Sequence, residues 1–297
     1  MLSAFTTPGL FLRGNLHCHS SVSDGDPTPA RVCALYRDLG YDFISLTDHF
    51  MARYGYPVTD TTPWRDAEFT TLLGAELHAP ALGNGEIWHL VANGLPIDFA
   101  PLGETETGVE LAQRALDAGA FVSIPHPAWY GLTPEDALTL PEVHAVEAWN
   151  TICQIETGRG EGGHLIDQML NAGRRIGVVA ADDTHRYHGD LGGSWVMVKA
   201  AERSPEAILA ALKAGAYYAS QGPEIYHVEI DGDHLNVETS PISSAWLIGH
   251  AARSAAVTGM DLTHLRLPLE KFAGSWARLV IADEAGNRAW ANPLWRD

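Results

Sequence analysis

The chain has 297 residues, three of them cysteine, with 37 acidic and 19 basic side chains and a formal charge of −18. That length carries one large domain, or a large and a small one, with a core that needs no disulfides, and three cysteines point to a reducing compartment, so the cytoplasm is expected. The acidity excludes sequence-independent nucleic-acid binding and attachment to an anionic membrane, no run approaches the roughly 20 apolar residues of a membrane span, and residues 1–14 do not read as a signal peptide.

From residue 11 to about 222 one pattern repeats: an apolar run, a helix-like segment, a glycine, and another apolar run. The first run ends in His17-Cys18-His19. Thr28-Pro29 then opens a helix that Gly40 closes, and strands are predicted at 43–47, 72–77 and 87–92. A helix ending at Gly119 leads to a strand at 120–124. Thr133-Pro134 opens the next helix, before a strand at 143–149. Gly173 closes another, before a strand at 175–180. A strand at 195–200, a helix from Ser204-Pro205 to Gly215 and a strand at 216–220 complete the series. A hydroxyl before proline suits a helix start, and glycine closes a helix cheaply. Strands alternating with helices imply crossovers and a mainly parallel sheet, so the expected fold is α/β, a closed or nearly closed β/α barrel ahead of a doubly wound open sheet. After Pro223 the pattern changes. Residues 227–237 alternate about an Asp-Gly turn, and 279–291 read as a second hairpin. The expected division is a barrel at 1–222 and a small β-rich unit at 223–297.

Metal-type residues fall at or near the predicted C-terminal strand ends, where a β/α barrel builds its site. His17 and His19 share one face of an extended chain, with Cys18 on the other. Ser23-Asp24-Gly25 follows, then Thr47-Asp48-His49, Glu76, His89, Pro125-His126-Pro127 and Asp182-Asp183-Thr184-His185. A lone histidine on an apolar strand is more often a core or surface residue than a ligand, and on that ground His78 and the other remaining histidines are set aside. Six histidines and three acids at equivalent positions are a different matter. Imidazole with carboxylate suits Zn, Mn or Fe better than Ca or Mg, and nine ligands exceed what one catalytic ion uses. A centre of two to three divalent transition metals is expected, with a carboxylate bridging two of them.

In combination, His-x-His, Ser-Asp-Gly, Thr-Asp-His, a Glu, a His, a His-Pro and a final Asp-x-His resemble the polymerase and histidinol phosphatase (PHP) superfamily, over residues 11–222. The resemblance implies a distorted seven-stranded β/α barrel that hydrolyses phosphate esters. It implies one metal on His17, His19, Glu76 and Asp183, a second on Glu76, His89 and His126, and a third on Asp24, His49 and His185. Two acids compete at the last motif. In an extended strand Asp183 shares a face with His185 and Asp182 points away. The tail, with Arg288-Ala289-Trp290-Ala291-Asn292-Pro293, resembles a branch that includes carbamate and carboxylic-ester hydrolases. The expected activity is hydrolysis of a small-molecule phosphate ester, with Glu76, His49 and Asp48 at the chemistry. Asp48 either orients a ligand, shuttles a proton or caps a turn. Arg53, Asn150, Arg159 and Arg186 are the expected substrate contacts. The alternatives are a carbamate or carboxylic-ester hydrolase on the same metals, or a non-catalytic metal-binding module.

Overall fold

The structure, a computed structural model, describes residues 2–296. α1 (Ser3–Thr6) precedes β1 (Leu10–Asn15), α2 (Pro29–Asp38), β2 (Phe43–Leu46), the two-residue β3 (His49–Phe50) and the long β4 (Thr70–Ala79). Then come β5 (Trp88–Asn93), α3 (Gly108–Asp117), β6 (Phe121–Ile124), α4 (Pro134–Thr139), β7 (Ala145–Asn150), α5 (Thr151–Thr157), α6 (Gly163–Asn171) and β8 (Gly177–Ala181). β9 (Trp195–Ala200), α7 (Pro205–Lys213) and β10 (Tyr217–Ser220) lead into β11 (Ile225–Asp231), β12 (His234–Gly249), β13 (Ser254–Pro268), β14 (Trp276–Ala282), β15 (Arg288–Ala291) and β16 (Leu294–Trp295). No helix among the described residues is long and apolar enough to cross a membrane.

The helix signals act through hydrogen bonds. Thr133 and Ser204 accept from the amides of Asp136 and Ala207, so each satisfies an amide that has no partner within its helix. Thr28 differs: Pro29 occupies the first turn of α2, but the threonine makes no capping bond. Gly119 ends α3 with a φ of 88°, a conformation costly for any residue with a side chain.

The fold is mixed α/β with one large sheet. β1, β2 and β4 pair in parallel, as do β6, β7 and β8. β5 departs from the expected parallel order and runs antiparallel to both β4 and β6. The reason is length. Residues 80–87 join β4 to β5, too few for the dozen or more that a parallel crossover requires. β9 is antiparallel to β1, and β10 to β9.

The ladder path ends at β8 and does not close. Beyond the strand ends, however, the Asp183 amide donates to the His17 carbonyl at 2.9 Å and the His19 amide to the Thr184 carbonyl at 3.0 Å. The chain after β1 is therefore tied to the chain after β8 at the level of the metal-type residues.

Beyond residue 223 every pairing is antiparallel. The hairpin expected at 227–237 is β11 with the start of β12, and that expected at 279–291 is β14 with β15. β15 also pairs with β10, so the ladder continues unbroken across residue 223. Side chains lock the same junction. The amide oxygen of Asn292 accepts from the Val178 amide at 2.7 Å, and Trp276, Val280 and Trp290 join the core that contains Leu165, Ile166 and Val178. Arg278 is buried and donates twice to Asp167 on α6, at 2.6 and 3.0 Å.

Replacing Arg278 with alanine leaves Asp167 without its partner at a mostly buried contact. We expect the variant to unfold with about 3 kcal/mol less stability in denaturant titration, a cost typical of breaking one side of a buried ion pair. A loss below about 0.5 kcal/mol would show that the pair does not fasten β14 to α6.

Candidate metal centre

Glu76 lies on β4 and is completely buried. Six imidazoles approach its carboxylate. Oε1 faces His89 at 2.7 Å and His126 at 3.2 Å; Oε2 faces His49 at 2.6 Å, His78 at 3.5 Å, and His17 and His19 each at 3.7 Å. The two oxygens thus address different sets of histidines. Strand geometry explains the gathering. His49 is the register partner of Glu76 across β3 and β4, and His78 that of His89 across β4 and β5. Alternation puts Glu76 and His78 on one face of β4.

The reversed direction of β5 accounts for His89. It sits near the N-terminal end of its strand, not the C-terminal end expected from the sequence, and reaches the same rim because β5 runs the other way. His17 and His19 follow β1 with no exposed surface, and Cys18 points away to the Ser45 carbonyl.

Asp183 closes the far side. Its Oδ1 lies 2.9 Å from His19 Nε2 and 3.1 Å from His17 Nε2. Asp183 leads into the cluster and Asp182 leads away, but the extended-strand reasoning does not apply. β8 ends at Ala181, and Asp183 has a φ of 54°. His126 also has positive φ, at 29°, so two residues of the cluster occupy backbone conformations that side chains seldom adopt, as functional sites often do. Asp182 instead accepts from Tyr36 Oη and from the amides of Gly192, Gly193 and Ser194, at 2.7–2.9 Å. Burial pushes its carboxyl up to about 6 against those donors.

Asp24, His49 and His185 form the outer part. Asp24 Oδ1 is 3.3 Å from His49 Nε2 and 3.5 Å from His185 Nε2. The loop that carries Asp24 needs Gly25, where a Cβ would meet the His19 carbonyl at 2.7 Å.

Asp48 does not face the cluster. It accepts from the Ser20 amide, from the hydroxyls of Ser20 and Ser23, and from Thr59, at 2.8–3.1 Å, so it braces the Asp24 loop. Asn150 likewise turns to protein groups. It is fully buried, donates to Glu147 and Asp183 at 2.9 and 3.0 Å, and caps α5 through the Cys153 amide. Arg159 is also displaced from the expected place: its guanidinium reaches the Trp129 carbonyl at 3.4 Å and does not line the cavity above the cluster. Arg53 and Arg186 do line that cavity, which measures about 470 Å³. Arg186 pairs with Asp26 at 3.2 Å.

Two residues were not singled out in the sequence. His78, set aside as a lone histidine, belongs with His49 and Glu76 in a group whose ligand atoms lie within 4.8 Å of one another. The signal was present, since Glu76-Leu77-His78 obeys the alternation that pairs His17 with His19. Glu147, buried on β7, accepts from the His126 amide at 2.9 Å and lies 2.8 Å from His17 Nδ1. An acid inside the apolar run of β7 was its signal.

The donor set fits divalent transition metals. Five overlapping groups of ligand atoms occur among the described residues, each drawn from histidine, aspartate and glutamate. His17 Nε2 and Glu76 Oε2 are buried with charged neighbours at 3.1 and 2.6 Å but without hydrogen-bond geometry to them, and buried polar atoms left so are costly. With Nδ1 of His17 held by Glu147 and Nδ1 of His185 held by the Asp183 carbonyl at 2.8 Å, both rings present Nε2 inward, the usual support for a metal-binding imidazole. Electrostatics agree. Burial opposes the charge on Glu76 and on Asp183, yet the surrounding imidazoles hold both carboxyls well below the usual range. Burial alone would lower His17, but Asp183 and Glu147 raise it well above an ordinary histidine. His49 is pushed up to about 10 because Glu76 and Asp24 outweigh its burial. Burial dominates at His89, which falls to about 4, and at His19, which burial, His185 and His49 together lower.

No family model and no curated protein matches this sequence. Among solved structures, a two-domain protein from Bacteroides vulgatus containing a predicted PHP-like metal-dependent phosphoesterase aligns over 98% of both chains, at 20% identity and a TM-score of 0.52. The chain has a PHP-like fold. The likeness is one of fold, and it spans the β-rich tail as well as residues 11–222, where the motifs lie. A proposed metal-dependent phosphoesterase from Bifidobacterium adolescentis matches 58% of this chain and 87% of its own, at 14% identity and a TM-score of 0.42. An amidohydrolase from Chromobacterium violaceum matches 60% and 89%, at 14% identity and a TM-score of 0.39.

Two tests follow from the geometry. Asp183 and Glu147 favour the protonated form of His17, and Glu76 and Asp24 that of His49, whereas imidazole must be neutral to bind. Metal uptake should therefore release protons, and affinity should rise with pH by about tenfold per unit for each proton displaced. Calorimetry in buffers of different ionisation enthalpy measures this, and uptake without proton release would contradict it. For the acidic pair, Asp183→Asn should lower metal affinity at least tenfold, whereas Asp182→Asn should chiefly lower the melting temperature. The opposite ranking would reverse the two assignments.

Proposed function

We propose that this protein is a hydrolase of small-molecule phosphate esters that uses two to three divalent transition metals, Zn, Mn or Fe. The observation that carries the reading is the buried Glu76 carboxylate with histidines ranged against both of its oxygens, beneath a cavity lined by Arg53 and Arg186. His17, His19, Glu76 and Asp183 would hold one ion, Glu76, His89 and His126 a second, and Asp24, His49 and His185 a third. Such ions supply an activated water near neutral pH and polarise the phosphoryl oxygens. The chain's own residues do the rest. Arg53 and Arg186 offer guanidinium forks that match phosphate oxygens. Glu147 fixes the ring of His17, and Asn150 fixes the carboxylate of Asp183, so the ligands are oriented before substrate arrives.

In this reading the seven strands β1, β2, β4, β5, β6, β7 and β8 form a distorted barrel, drawn together where His17 and His19 bond to Asp183 and Thr184. Residues 223–297 form a supporting unit that provides stability, since every candidate metal-binding group among the described residues lies between His17 and His185. The three cysteines are buried and unpaired, which supports a reducing cytoplasm. A second reading, carbamate or carboxylic-ester hydrolysis, draws support from Glu86 and Glu156. They line the same cavity and disfavour a dianionic substrate.

Metal-loaded protein should hydrolyse p-nitrophenyl phosphate or its diester. His17→Ala and Glu76→Gln should lower kcat at least a hundredfold, and Arg53→Ala should raise KM several-fold. Turnover of p-nitrophenyl acetate or an aryl carbamate, with none on any phosphate ester, would replace the first reading with the second.

A further inference from the structure

Next to the metal-type cluster lies a recess of about 170 Å³. Its walls include Phe50, Met51, Tyr56, His78, Ile87 and Leu102. Apart from the His78 ring and the Tyr56 hydroxyl, those side chains are wholly apolar. Three of the six, Met51, His78 and Ile87, also line the cavity above the cluster, so the two spaces meet along one shared wall. The floor is aromatic: Phe50 is completely buried, with its ring centroid 5.2 Å from that of Tyr56 and 5.6 Å from that of Phe99. Met51, Tyr56, Ile87 and Leu102 remain only partly buried. The two spaces therefore differ in chemistry. One carries guanidinium, carboxylate and imidazole groups; the other, His78 and the Tyr56 hydroxyl apart, presents carbon. A polar substituent placed in the recess would lose water without regaining hydrogen bonds, whereas an apolar one gains by burial.

We infer that this recess holds an apolar substituent of the substrate, so that the ester cleaved at the cluster carries an aryl or short alkyl group and not a sugar. This deepens the proposed hydrolase and rests on that reading for the position of the reacting bond. Bound across the shared wall, such a substrate has its charged or carbonyl end at the cluster and the apolar group beyond His78. Each CH2 buried in the recess should tighten binding about fourfold.

The test uses two matched pairs of ligands on the metal-loaded protein: phenylphosphonate against methylphosphonate, and benzoate against acetate, by calorimetry. The phenyl member of at least one pair should bind at least tenfold more tightly than the methyl member. Ala52→Phe fills the recess from an exposed position on its wall, and Leu102→Gln makes the wall polar. In both variants the phenyl-to-methyl ratio should fall towards one. A preference confined to the carboxylate pair would keep the recess and overturn the phosphate reading. Equal affinities within both pairs, or a preference unchanged in both variants, would overturn the inference.

Discussion

The structure is organised around a carboxylate that has been taken out of water. An unpaired anion at zero exposure is prohibitively costly, so Glu76 requires cationic or donor groups on every side. Six imidazoles provide them. They come from the ends of β1 and β6, from β3, from β5 and from β4 itself. This requirement is met where several strand ends converge, and the reversed β5, set by its short connection to β4, contributes by standing His89 opposite His78 at that rim. A metal centre meets the same requirement more fully, because it supplies positive charge to the carboxylate and a partner for the inward-facing His17 Nε2.

The buried acids separate into two kinds by what they touch. Asp48 and Asp182 are surrounded by backbone amides and hydroxyls, and each fixes a loop, at 20–25 and 192–194. Glu76 and Asp183 face imidazoles. Glu147 belongs to both kinds, gripping His17 on one oxygen and the His126 amide and Asn150 on the other. The distinction is physical. A carboxylate saturated by fixed neutral donors has little capacity left for a metal, whereas one facing neutral or exchangeable imidazoles can trade their protons for an ion. Buried acid alone therefore identifies no ligand; the identity of its partners does.

Much of this was legible in the sequence because alternation and strand ends are local properties. His17 and His19 needed only the two-residue period, and the helix starts at Thr133 and Ser204 only the hydroxyl before proline. What was not legible depends on tertiary pairing. The direction of β5 follows from a connection too short for a crossover, and strand 87–92 alone contains no sign of it. Asp48 in Thr-Asp-His looked as well placed for chemistry as His49, and only the fold shows the serines beneath it. Asn150 ends β7 at the right height, but its side chain turns inward to Asp183. The long hairpin of β12 and β13 also escaped notice. Its middle, residues 240–262, is rich in serine and alanine, and its pairing shifts register twice.

The most direct measurement of the central claim is an anomalous-scattering map from crystals loaded with manganese. The account predicts two or more peaks around Glu76, one beside Oε1 with His89 and His126, and another beside Oε2 with His17, His19 and Asp183. A single peak coordinated without Glu76, or no ordered ion at the cluster under saturating metal, would contradict it.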